Sequence, residues 1–287
     1  MLVSGREVLD VARSNGYAVP AFNISDYSML NAVLQISQEK RSPVILAIHP
    51  NEIANLGWDV MPSIIQLAQK ASVPAVIHLD HGTSYDQVLA AIRGGFTSVM
   101  IDASMLPFED NIALTAKASE AAHAVGVSVE GELGTIGRTD TYAESGTDAI
   151  IYTDPQDAVA FVERTGVDYL AVAIGTRHGI YPRHLKPELK LDLLREIEAV
   201  IHIPLVLHGG SNNPDAEIAE AARGGVSKIN ISSDIKTAYY NRAREVLRDL
   251  DLREPDVIQP LCRAALMAVA AQKIDLFGAT GAADRHY

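Results

Sequence analysis

The stretch PAVIHLDHGTSYDQVLAAIRGGFTSVMID (74–102) decides the fold. Its first run, PAVIHL (74–79), is apolar at successive rather than alternate positions, as in a parallel strand covered on both faces. SYDQVLAAIRGG (84–95) places apolar residues at helical spacing and closes on glycine, a helix-stop signal. SVMID (98–102) is a second buried strand. A strand, a helix and a strand in so short a span make one βαβ unit.

The same alternation runs outward in both directions. Further strand candidates are AVPAFN (18–23), PVILAI (43–48), VSVEGE (127–132), YLAVAI (169–174), PLVLH (204–208) and KINIS (228–232). Helical patterns such as YSMLNAVLQISQEKR, NIALTAKASEAAHAVG, DPQDAVAFVERTG and DAEIAEAARGG lie between them. Eight strands with intervening helices specify a single (β/α)8 barrel over residues 1–287. A doubly wound sheet is the alternative architecture and normally has fewer strands.

Composition narrows the class. The chain has 287 residues, 48% of them hydrophobic and 21% charged, enough for a large core. A net charge of −12 argues against a nucleic-acid partner, so any anionic ligand must be held by local positive potential. The single cysteine, Cys262 in QPLCRAALMAV, excludes an internal disulfide and reads as a packed helix residue in a reducing compartment. The start, MLVSGREVLDVARSNG, reads as a mature helix. No run approaches the ~20 apolar residues of a membrane span. A cytoplasmic protein without membrane partners is expected.

In a barrel the active site is built from the C-terminal strand ends and the loops after them. Asn23, His49, Asp80, His81, Asp102, Glu130, Glu132, His178, His208, Gly209, Ser211, Asn230 and Ser232 all fall there. His81 (HLDHG), His178 (AIGTRHG) and His208 (PLVLHGG) follow three separate strands in parallel contexts. Each alone is equally well a hydrogen-bonded wall residue. Together they can bind a zinc-like cation and leave a coordination position for substrate. Asp80 and Glu132 add carboxylates beside them. His78 shares a strand face with Asp80, where it either orients that acid or simply packs. HGGSNN (208–213) and NISSD (230–234) follow strands seven and eight, a frequent phosphate position in barrels, and Gly179 would let backbone approach the same ligand.

On these residues the chain resembles the class II, metal-dependent ketose-bisphosphate aldolases, in the branch of tagatose- and fructose-bisphosphate aldolases. The matching pieces are GYAVPAFN (16–23), IHLDHG (77–82), SVMIDAS (98–104), VEGELG (129–134), LAVAIGTRHG (170–179), LVLHGGS (205–211) and KINISSD (228–234), in order over most of the chain. The resemblance implies one catalytic Zn2+ on His81, His178 and His208, with Glu132 offering an alternative metal position. It implies that Asp80 exchanges a proton with the aldehyde-derived oxygen. Gly179, Gly209, Gly210, Ser211, Asn230, Ile231, Ser232 and Ser233 would bind dihydroxyacetone phosphate, with Asn23 near the substrate. Some relatives carry a monovalent cation near the phosphate, and such an ion stays open here. A homodimer or homotetramer is also implied.

The chain departs from that pattern in places that bear on the substrate. HGGSNNP carries Asn212 and Asn213 where relatives commonly have another glycine. The loop TIGRTDTYAESG (135–146) offers only Asp140 and Glu144 for moving the substrate carbon proton, and surface solvation suits either. His49 stands where a small polar residue is expected, and contacts substrate or caps its loop. Arg138 and Arg177 are candidates for a distal anionic group, and guanidinium suits carboxylate as well as phosphate. The expected substrate is a ketose 1,6-bisphosphate, a ketose 1-phosphate or a sugar-acid phosphate. Other readings are a Schiff-base aldolase on Lys228, a metal-dependent barrel hydrolase, and a non-catalytic sugar-phosphate-binding accessory subunit.

Overall fold

All eight expected strands form: β1 (Val19–Asn23), β2 (Val44–Ile48), β3 (Ala75–Gly82), β4 (Ser98–Ile101), β5 (Ser128–Leu133), β6 (Tyr169–Val172), β7 (Leu205–Leu207) and β8 (Val226–Ile231). The computed structural model describes residues 1–139, 149–181 and 187–286. The strands pair in parallel and close a barrel in the order β1-β8-β7-β6-β5-β4-β3-β2. Their continuous apolar character is explained by burial on both faces, inside against the barrel filling and outside against helices. A doubly wound sheet would leave two edges, and this sheet has none.

Helices α1 (Gly5–Asn15), α2 (Tyr27–Glu39), α3 (Pro50–Leu56), α4 (Met61–Lys70), α5 (Tyr85–Arg93), α6 (Phe108–His123), α7 (Pro155–Thr165), α8 (Leu191–Val200), α9 (Asp215–Arg223), α10 (Ser233–Val246) and α11 (Pro255–Leu276) connect and cover them. The N-terminal segment starts α1 with a capping box between Ser4 and Glu7. This helix touches β1, β3, β5 and β8 and so closes the end of the barrel opposite the strand C-termini. Cys262 is buried in α11, which packs on α2 and α10. Among the described residues no helix is long and apolar enough to cross a membrane.

One feature lies outside the expected pattern. Gly137–Arg138 pairs in parallel with Arg177–His178 above the barrel. Thr139 N–H donates to the His178 carbonyl at 2.9 Å, so the loops after β5 and β6 are tied together over the mouth. Asp140 and Glu144 lie outside the described residues.

Candidate functional site

The end of β3 breaks strand regularity. His81 adopts φ 50°, in the left-handed region, and the β3–β4 register shifts between Leu79 and Gly82. In a regular strand, residues 80 and 81 would face opposite sides. The irregularity lets both line one cavity at the mouth. Gly82 is required beside it, because a Cβ there would lie 2.7 Å from the Met100 carbonyl oxygen.

His178 follows β6 and His208 follows β7, and both rings meet His81. Ring centroids are 4.5 Å apart for His81 and His208, 5.1 Å for His81 and His178, and 6.1 Å for His178 and His208. One nitrogen of each ring lies within 4.8 Å of the other two. A second donor group of the same compactness joins His81 to Asp102 and Glu132. His81 Nδ1 is bonded to Asp102 Oδ2 at 2.8 Å, and His208 Nε2 to Glu130 Oε1 at 2.6 Å. A carboxylate only accepts, so both nitrogens carry hydrogen. His208 Nδ1 and Glu132 Oε2 are buried without hydrogen-bond partners, 3.4 Å apart. Buried polar atoms are rarely left so. Imidazole and carboxylate donors of this number, with two orphaned atoms facing each other, fit a divalent cation.

The buried titratable groups of the site shift one another strongly. Burial pushes Glu132 well above the usual carboxylate range, with Asp102 and Glu130 adding to it. Burial works to lower His81, yet Asp80, Asp102 and Glu132 push it up to about 10. Burial, His81 and Lys228 hold His208 well below the ordinary imidazole value. Burial would raise Asp80, but His81, Lys228, His208 and His78 outweigh it and keep the carboxyl well below its usual range. Asp80 is therefore ionised. Its two oxygens accept from Asn23 Nδ2 at 2.8 Å and Asn230 Nδ2 at 2.9 Å. These amides, not His78, orient it. His78 instead contacts Ser98 and lies 3.4 Å from Glu130.

Asn23, Asp80, His81, His178, Gly179, Gly209, Ser211, Asn230, Ser232 and Ser233 line one cavity at the barrel mouth. Gly209 sits at φ 61° with the Arg177 backbone 2.7 Å from where a Cβ would be, so only glycine passes there. Ser232 and Ser233 begin α10, whose N-terminus attracts anions. Lys236, one turn on, brings an ammonium group to the cavity and pairs with Glu52 at 2.7 Å. Sequence reading missed Lys236; the helical offset from Ser233 is the signal that could have found it. It also left Asp102 without a role, because a bond to His81 across two strands has no sequence trace.

Other expected residues fall elsewhere. Gly210 N–H is taken by the Asn230 carbonyl, and Ile231 is fully buried in β8. His49 caps α3, its Nδ1 accepting from Asn51 N–H, with its ring 6.3 Å from that of His81. Arg177 packs its guanidinium over Gly137, and Arg138 is exposed on the same short pair. Asn212 accepts from Tyr181 N–H, and Asn213 donates to the carbonyls of Gly209 and Ser211, bracing the loop. Lys228 is fully buried and bonded to Glu130 at 2.7 Å, away from the cavity lining, which removes the Schiff-base reading.

Comparison with known proteins follows the same line. Residues 3–282 match the family model of class-II fructose-bisphosphate aldolase. The chain is 40% identical to a fructose-bisphosphate aldolase of Thermus caldophilus, over 99% of this chain and all of that protein. It is 40% identical to a probable fructose-bisphosphate aldolase of Bacillus subtilis, over 98% of this chain and 99% of that one. Its fold superposes on the crystal structure of the YdjI aldolase from Escherichia coli K12 with TM-score 0.87 and 36% identity, covering 98% of this chain and 99% of that one. These relatives are named aldolases and lend no support to the hydrolase and accessory-subunit readings. The chain belongs to the class II fructose-bisphosphate aldolase family and is a carbon–carbon lyase.

Proposed function

We propose that this aldolase is zinc-dependent and reversibly splits a phosphorylated ketose between C3 and C4, releasing dihydroxyacetone phosphate and an aldehyde. The observation carrying this reading is the convergence of His81, His178 and His208 beside ionised Asp80, at the edge of a cavity fitted for an anion. His81, His178 and His208 would hold the ion, with Glu132 as an alternative donor. When bound, a divalent cation there acts as a Lewis acid toward the negative charge that develops as the bond breaks.

The chain's own groups move the hydroxyl proton and hold the phosphate. Asp80, held by Asn23 and Asn230, takes the C4 hydroxyl proton in cleavage and returns it to the aldehyde oxygen in condensation. Gly179, Gly209, Ser211, Ser232, Ser233 and Lys236 receive the 1-phosphate. Ketose 1,6-bisphosphates, ketose 1-phosphates and sugar-acid phosphates share that end. The enzyme works in the cytoplasm as a homodimer or homotetramer, a reading supported by exposed Tyr240, Leu247, Leu250 and Val257 around the α10–α11 elbow.

A panel of these ketoses, assayed after chelation and again with zinc restored, tests the proposal. Chelation abolishes aldehyde release and zinc restores it. Full turnover in chelated protein, or no aldehyde from any 1-phosphate, would overturn it.

A further inference from the structure

The barrel interior beneath the site holds a charged pair that the reaction does not need as reactant. Glu130 and Lys228 are both fully buried, with Nζ 2.7 Å from Oε2. Barrel interiors are ordinarily filled by branched apolar side chains. A buried ion pair contributes little net stability, since desolving both charges offsets their attraction. Its presence therefore asks for another reason.

That reason is visible one bond away. The other Glu130 oxygen, Oε1, accepts from His208 Nε2 at 2.6 Å. Lys228 occupies one carboxylate oxygen and leaves the second directed at the imidazole. The opposite ring nitrogen, Nδ1, then bears a lone pair and no proton, and it is this atom that is buried without a partner beside Glu132. His81 is wired in the opposite sense: Asp102 takes Nδ1, which leaves Nε2 for the mouth. Two ligands thus present different nitrogens, each chosen by the carboxylate behind it. His178 lies in the short strand pair above the barrel, whereas Glu130 and Lys228 sit within β5 and β8, so the control of His208 is built into the barrel sheet.

We infer that Glu130 and Lys228 are positioning residues that fix the His208 tautomer and ring direction, so that Nδ1 is the ligand atom, and that they thereby set metal affinity rather than fold stability. The inference rests on the zinc reading above. Partners behind metal-binding histidines typically change affinity by about 10- to 100-fold when lost.

Two double variants separate this role from packing, because each removes both charges and leaves no lone buried ion. Glu130→Gln with Lys228→Met keeps an oxygen for His208 Nε2. Glu130→Leu with Lys228→Met removes it. Zinc dissociation constants are measured by competition with a chromogenic chelator, apoprotein melting by circular dichroism, and ring tautomers by long-range 1H–15N correlation. The expected results are a rise in Kd of about tenfold for the first variant and about a hundredfold for the second. Apoprotein melting stays near wild type in the first, and wild-type His208 shows its proton on Nε2. A folded leucine variant with wild-type Kd overturns the inference. So does a wild-type apoprotein with the His208 proton on Nδ1, a measurement that needs no variant to fold. A wild-type protein that shows the Nε2–H tautomer but takes up no zinc refutes the zinc reading and supports the tautomer assignment, so the two failures are distinct.

Discussion

Asp80→Asn isolates the proposed proton transfer from the architecture that holds it. Truncation to alanine would confuse the two: it orphans the buried Nδ2 donors of Asn23 and Asn230, each at about 1–3 kcal/mol, for a loss of about 2–6 kcal/mol. That is a large share of the roughly 5–15 kcal/mol that holds a typical domain. Asparagine avoids this. The Oδ1 atoms of Asn23 and Asn230 are buried without partners, so one of these amides can turn over and accept from the new NH2 group. Both contacts persist, now neutral instead of charge-assisted, at a cost of about 1–2 kcal/mol. The carboxamide cannot take a proton at neutral pH. Loss of a positioned acid–base group lowers rate by about 10²–10⁴-fold. Ketose cleavage is followed by NADH oxidation coupled to dihydroxyacetone phosphate, with zinc content and melting measured on the same sample. The expected result is a folded, zinc-loaded protein with kcat down at least a hundredfold. Turnover within tenfold of wild type in such a sample would refute the role of Asp80.

Three further outcomes follow from the site. His81 is raised from 6.5 to about 10 in the folded apoprotein, so its contribution to stability is complete below pH 6.5 and lost as pH rises through about 10. His78 is lowered to about 3, chiefly by burial, so its contribution is present above pH 6.5 and lost as pH falls through about 3. Apoprotein melting temperature should peak near pH 6.5, and a flat profile from pH 4 to 10 contradicts the burial of these rings. Gly209→Ala forces a left-handed backbone at about 1–2 kcal/mol and pushes on the Arg177 carbonyl, moving the loop that carries His178. Its KM for a ketose 1-phosphate should rise severalfold, and unchanged kinetics would show that this turn is not part of the anion site. Borohydride added during turnover should leave intact mass unchanged, since Lys228 is sealed beneath the cavity; a reduced adduct on that residue would restore the Schiff-base chemistry.

The barrel itself was legible in the chain because parallel strands buried on both faces must be continuously apolar, and eight strand runs, PVILAI and YLAVAI among them, alternate with helical patterns. Strand-end placement likewise exposed His81, His178 and His208, because in this fold the C-terminal ends are the site. Residue spacing could not show what depends on a broken period or on partners from distant strands. A regular β3 would have sent Asp80 and His81 to opposite faces; only the left-handed turn at His81 joins them. Asn23 and Asn230 reach Asp80 from β1 and β8, Asp102 reaches His81 from β4, and Lys228 reaches Glu130 across the barrel. Local pattern dictates which residues are buried and where strands end. Which buried polar groups then meet is set by register and closure of the sheet, which no short window of sequence contains.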